Sequence, residues 1–115
     1  GAAETAVAAL EDRLRATPFA APEAYELDDL GLGSRELAAA QRLGRLLRLP
    51  GDVVLLPTAP ALAMRELARL PQPFTTSQAR QAWGTTRRVA IPLLEHLDAK
   101  GWTRREDGSN RSIVR

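Results

Sequence analysis

Cysteine is absent from the 115 residues, and histidine and lysine occur once each. Without thiols there is no disulfide framework and no cysteine-ligated metal site, and a lone His96 cannot supply the second ligand of a histidine pair. His96 stands in a helical pattern with no serine or cysteine nucleophile in a triad-like context, so an ordinary packing or surface role is expected for it. No GxxxxGK[ST] sequence occurs, which removes a P-loop nucleotide site. No apolar run approaches the roughly 18 residues that a membrane span needs. No signal-peptide pattern follows Gly1. The chain is therefore read as a cytoplasmic, non-enzymatic piece of a longer protein, with no metal and no membrane partner.

Hydrophobic residues make up 44% of the chain, enough for globular cores, although aromatics are only 4%. Charge is unevenly placed. Residues 1–70 hold eight arginines against ten acids, a net −2, whereas residues 71–115 hold seven arginines and one lysine against four acids, a net +4. A basic C-terminal half points to a polyanionic partner on that side.

Proline and glycine divide the chain. Residues 3–16 form an alanine-rich helix with Val7, Leu10 and Leu14 on one face. Pro22 suits the first turn of a second helix through Tyr25 and Leu27 toward Leu30, with Tyr25 expected in the core. Gly31-Leu32-Gly33 breaks it, and Ser34 is a good N-cap for a third helix reaching Gly44 or Arg45. Residues 46–49 and 53–56 read as a hairpin around Pro50-Gly51-Asp52. Pro57-Thr58-Ala59-Pro60 is the expected boundary.

Beyond it come a helix over residues 61–70, a Pro71-Gln72-Pro73 breaker, and a short strand at Phe74. A helix capped by Thr75 or Thr76 then runs to Trp83. The order of three helices and a hairpin occurs twice, with a period of about 57 residues. The fold class expected is mainly α with small β-hairpins (α+β), in two domains: residues 1–57 as a structural spacer and residues 58–115 as the nucleic-acid-binding part. Arg35, Arg42 and Arg45 of the first third helix have Glu36, Asp28 and Asp29 nearby in sequence, and a structural role is expected for them.

The most informative stretch is WGTTRRVAIPLLEHLDAKGWTRRE, residues 83–106. Gly84 ends one helix cheaply and Thr85 or Thr86 caps the next. Val89, Ala90, Leu93, Leu94 and Leu97 define its core face. Arg88, Ile91, Glu95 and Asp98 lie opposite, the two acids reading as a solvated stripe. Arg87 and Arg88 fall in the first turn, where the helix dipole favours acids. An anionic partner docking at that helix end accounts for them; ordinary solvated charges are the plainer alternative. Pro92 removes a helical hydrogen bond at a typical cost of about 3 kcal/mol, and a tolerated kink is expected. Gly101 closes the helix, and residues 102–106 and 111–114 form a hairpin around Asp107-Gly108-Ser109-Asn110. Arg104, Arg105 and Arg111 stud that hairpin, either as phosphate contacts or as solvated strand faces. Trp83 and Trp102 are expected as core anchors. This is the pattern of a helix-turn-helix with a wing.

The run from Phe74 through Arg105 resembles the last winged-helix domain of the bacterial selenocysteine-specific translation elongation factor. Phe74-Thr75, the Gly84-Thr85-Thr86-Arg87-Arg88 turn, Pro92-Leu93-Leu94-Glu95, Leu97-Asp98, and Gly101 followed by Thr103-Arg104-Arg105 carry the likeness. The family usually has Ser-Arg-Lys where this chain has Thr86-Arg87-Arg88, so charge is kept. The resemblance implies tandem winged helices ending the arm of a GTPase related to elongation factor Tu. GTP and Mg²⁺ would belong to its N-terminal domains, with no cofactor in this fragment. It implies recognition of a hairpin in selenoprotein mRNA, the selenocysteine insertion element, beside a recoded UGA codon. Ribosome and selenocysteyl-tRNA would be met through the full-length factor. Thr85, Thr86, Arg87, Arg88 and Arg105 match the motif as RNA-binding candidates; Gln78, Arg80 and Arg111 join them on charge and position. Rival readings are a DNA-binding winged-helix regulator and a protein-interaction module. No dimerisation segment is seen, and a monomer is expected.

Overall fold

A computed structural model describes residues 1–115. The chain divides into two compact units, Gly1–Ala59 and Pro60–Arg115. The winged-helix, α+β class is observed in both helix order and sheet pattern.

In unit 1, α1 (Ala2–Ala16) buries Val7, Leu10 and Leu14 at helical spacing. Helix α2 (Ala24–Asp29) is only six residues long and buries Leu27 alone. Tyr25 therefore lies outside the core, 66% exposed, contrary to expectation, because a helix this short turns a single position inward. Helix α3 (Ser34–Arg42) starts one residue earlier than a Ser34 cap would place it. Gly33 is the N-cap, and its N–H donates to Glu36 Oε1 at 3.0 Å. The helix ends in a Schellman arrangement, with Gly44 N–H on the Gln41 carbonyl and Arg45 N–H on the Ala40 carbonyl, both at 2.9 Å. Gly44 adopts φ 73°, where a side chain would be strained. Strands β1 (Leu47–Leu49) and β2 (Val53–Leu55) pair antiparallel, with Leu49 opposite Val53 and both buried.

Unit 2 repeats the plan with one addition. Helix α4 (Ala59–Leu67) begins two residues before the expected start. Pro60 falls in its first turn, where a missing N–H costs nothing, so a residue read as linker belongs to the helix. Strand β3 (Phe74–Thr75) precedes α5 (Thr76–Trp83), and α6 (Arg87–Ala99) is followed by β4 (Thr103–Arg105) and β5 (Asn110–Ile113). The sheet order is β3-β5-β4, all antiparallel, with Phe74 opposite Arg111 and Thr103 opposite Ile113. Helix α6 runs through Pro92 as one continuous helix and buries Val89, Ala90, Leu93, Leu94 and Leu97. Phe74 and these leucines form the unit's core, and Trp83 joins them, its indole N–H donating to the Ala63 carbonyl at 3.1 Å.

Candidate nucleic-acid interface

The α5–α6 turn is fixed at both ends by sequence-local bonds. Thr75 caps α5: its Oγ1 accepts the Gln78 N–H at 3.0 Å, while Gln78 Oε1 accepts the Thr75 N–H at 2.7 Å. Gly84 takes φ 61° and closes α5, with the Thr85 N–H on the Arg80 carbonyl at 3.2 Å. Thr86 is the N-cap of α6, and its carbonyl accepts the N–H groups of Val89 and Ala90. The first turn of α6 therefore begins at Arg87 and Arg88, both exposed, with no acidic residue in that turn. The positive end of the helix dipole and two guanidinium groups coincide there.

The remaining candidates take different places. Gln78 is exposed, but its amide oxygen is committed to the cap of α5. Arg80 is half-buried and donates Nη1 to the Thr85 carbonyl at 3.4 Å, so it braces the turn. Arg105 is exposed at the wing, with Nη2 on the Gly108 carbonyl at 2.8 Å. Arg111 departs from the expected peripheral position. It is 4% exposed, and its guanidinium binds Asp98, with Nε 3.0 Å and Nη2 3.0 Å from Oδ2. Its Nη1 also reaches Thr76 Oγ1 at 3.4 Å. Asp98 in turn accepts the Thr103 hydroxyl at 2.6 Å.

Asp98 is thus no part of a solvated stripe. It ties the end of α6 to both wing strands, which sets the wing's angle to the helix. Sequence spacing paired Asp98 with Glu95 along the helix and missed strand partners that only tertiary folding supplies. The usable signal was its place two residues before the helix's C-cap, beside a hairpin rich in arginine.

The wing tip is held by Asp107. Its carboxylate accepts the N–H groups of Ser109 and Asn110, each at 3.0 Å. The Ser109 N–H, then the Asn110 side chain and N–H, hold its pKa below the ordinary carboxylate value. His96 is half-buried; loss of solvent, then nearby Lys100, pushes its pKa down. Trp102 is not a core anchor: it stands at the surface with the Lys100 ammonium over its ring. No group of three or more His, Asp or Glu side chains converges on a metal-sized site. No helix is long and apolar enough to cross a membrane.

In unit 1 Arg35 and Arg42 of α3 are exposed, whereas Arg45, just beyond that helix, is internally matched. Arg45 pairs with Glu11 at 2.6 Å and also with Glu4, both on α1. The hydrogen bond from Arg45 holds the Glu11 carboxyl below its usual range, and the bonds to Glu11 and Glu4 raise the pKa of Arg45.

Comparisons with known proteins agree on this architecture. Residues 65–111, which include every candidate contact residue, match the family described as elongation factor SelB, winged helix. Among solved structures the chain resembles a bacterial selenocysteine-specific elongation factor, EF-Sec, with a TM-score of 0.75 and 27% sequence identity. That likeness covers 96% of this chain and 18% of the other, so the chain spans under a fifth of that protein's length. No curated protein matches the chain in sequence.

Proposed function

We propose that this chain, whose residues 65–111 match the winged-helix family of elongation factor SelB, is the message-reading end of a selenocysteine-specific elongation factor. Unit 2 binds the selenocysteine insertion hairpin of selenoprotein mRNA and tethers the factor beside the recoded UGA codon. Arg87 and Arg88 hold phosphates and a loop base, Thr85 and Thr86 add hydroxyl and N–H contacts, and Arg105 adds a phosphate contact from the wing. Arg80, Gln78 and Arg111 serve this surface by holding its parts in place. Unit 1 acts as a spacer. Ribosome, selenocysteyl-tRNA, GTP and Mg²⁺ belong to the whole factor rather than to this fragment, which carries out no catalysis. The fragment works in the cytoplasm as a monomer.

The observation that carries this reading is the exposed Arg87-Arg88 pair on a first helical turn without acids. A-form RNA suits such a helix end. Its major groove is too narrow for a whole helix, so proteins grip phosphates and unstacked loop bases instead.

The test is a titration of the chain with a selenoprotein-message hairpin at two salt concentrations. A loop-scrambled hairpin and a duplex DNA serve as controls, with Arg87→Ala/Arg88→Ala alongside. Loop-dependent binding that the double variant loses, weakening with salt, is the expected result. Equal affinity for all three nucleic acids reduces the protein to a generic basic winged helix, and absence of binding points to a protein partner.

A further inference from the structure

Unit 2 has a second concentrated surface feature, at the opposite end of α6. Its exposed large apolar side chains are Trp102 and Val114, at 37% and 42%. They are neighbours: the Val114 N–H donates to the Trp102 carbonyl at 3.0 Å, and residues facing each other across strands share a face. Thr103, buried, and its partner Ile113 lie on the other face, since successive strand residues alternate. Arg104 and its partner Ser112 therefore share the side of Trp102. The Lys100 ammonium rests 4.5 Å from the indole centroid, on the ring rather than on a carboxylate. The acid at hand is Glu106, 3.3 Å from Arg104, and exposed pairs of that kind hold weakly.

A reachable indole flanked by two cations is the composition of a single-strand platform, where bases stack on an aromatic ring and basic side chains follow the backbone. We infer that this sheet face stacks an unpaired nucleobase on Trp102, with Lys100 and Arg104 taking the adjoining phosphates. The base displaces the Lys100 ammonium from the ring, and the ammonium follows the phosphate.

The occupant is unpaired RNA flanking the hairpin. This deepens the reading above and rests on it. Two observations favour that occupant. The basic half of the chain carries the platform. Lys100 also lies thirteen residues beyond Arg87, about 20 Å along a helix at 1.5 Å per residue. A base held at Arg87 and Arg88 does not reach the indole, so a separate stretch of the same strand must.

The experiment follows tryptophan emission of the chain during titration with a ten-nucleotide oligouridine, then compares hairpins with and without single-stranded flanks. Trp83 is buried with its indole N–H bonded, so the emission change reports Trp102. Oligouridine is expected to quench the emission. Single-stranded flanks are expected to tighten hairpin binding about tenfold. Trp102→Phe keeps that gain within threefold, and Trp102→Leu, which keeps apolar bulk without a ring, loses it. Trp83 emission and far-UV dichroism verify that the variants fold. Arg87→Ala/Arg88→Ala must leave the oligouridine quench intact, which separates failure of this site from failure of hairpin recognition. Absence of quenching, a flank effect unchanged in Trp102→Leu, or a quench abolished by the arginine double variant overturns the proposal.

Discussion

In unit 1 the third helix closes on Gly44 and is tied to its hairpin by Gln41, whose Oε1 accepts the Arg48 N–H at 2.7 Å. In unit 2 the third helix closes on Gly101 by the same bonds, Gly101 N–H to the Asp98 carbonyl and Trp102 N–H to the Leu97 carbonyl. Its tie is Asp98, which stands at the matching position and binds a buried arginine instead of a backbone N–H. Aligned on these glycines, α6 extends about one turn, roughly 6 Å, further toward its N-terminus than α3. That extra turn is where Arg87 and Arg88 stand. The C-cap residues differ too: Leu43, 75% exposed, against Lys100. One plan thus carries two surfaces: an additional basic turn and a charged tie in unit 2, and in unit 1 a shorter third helix followed by an arginine, Arg45, matched to the acids of α1.

The largest expected effect separates the two ties. Asp98→Ala leaves the buried Arg111 guanidinium without its carboxylate and should cost unit 2 about 3 kcal/mol. Gln41→Ala removes one exposed neutral hydrogen bond and should cost unit 1 about 0.5 kcal/mol. Both tryptophans lie in unit 2, so their emission during urea unfolding follows that unit, while far-UV dichroism follows both. Comparable losses from the two substitutions would mean that the Asp98 network is no stronger an anchor than an ordinary surface bond.

Next comes the extra turn. Arg87→Ala/Arg88→Ala is expected to weaken hairpin binding about a hundredfold or more, since each hydrogen bond to a charged group contributes about 1.5–3 kcal/mol. Arg35→Ala/Arg42→Ala, in the shorter helix, is expected to change it less than threefold. A tenfold loss from Arg42→Ala alone would give unit 1 an RNA-binding role and end its reading as a spacer.

Much of this comparison could be read from the chain before folding. Helical spacing placed Val89, Ala90, Leu93, Leu94 and Leu97 in the core, and all are buried. Glycines marked the helix ends because φ values near +70° select them. The order of three helices and a hairpin followed from these local signals. The misplaced residues depend on partners distant in sequence. Arg111 reads as a wing arginine until β5 brings it beside Asp98, and Trp102 reads as core because its bulk says nothing about which sheet face it takes. Tyr25 is exposed because α2 is too short to turn a second position inward. Gln78 reads as a contact residue on polarity and position, although its spacing from Thr75 also writes a capping box. Pattern reports periodicity; it does not report which of two faces a lone aromatic occupies, or which charge will meet another across a sheet.

Equivalence of the two helix ends gives a smaller effect. Gly44→Ala and Gly101→Ala place a side chain at φ 73° and 76°, and nothing lies within 4 Å of the added carbon in either case. Only the backbone cost remains, about 1–2 kcal/mol. Urea midpoints should fall by like amounts in the two units. A clear inequality would show that one helix end is supported by more than its local turn.

The smallest effect concerns the internal matching of unit 1. Glu11 has its pKa held below the ordinary 4.5, chiefly by its hydrogen bond from Arg45. A depressed folded-state pKa gives stability that is present above the unfolded value and is lost as pH falls through the folded value. Unit 1 should therefore be slightly more stable than its Glu11→Gln variant at pH 7. The difference should shrink as pH drops below 4.5 and vanish once Glu11 is protonated in the folded protein. Urea unfolding followed by far-UV dichroism at pH 7, 5 and 3.5 measures it, with tryptophan emission used to remove the contribution of unit 2. Glutamine keeps the shape and one acceptor, so the pH-dependent part reports charge alone. A difference that stays constant across this range would mean that Arg45 is not held by the Glu11 carboxylate. Arg45 would then keep Glu4 as its one acidic partner, and the contrast between an arginine neutralised on both sides and the basic turn of unit 2 would weaken at that residue.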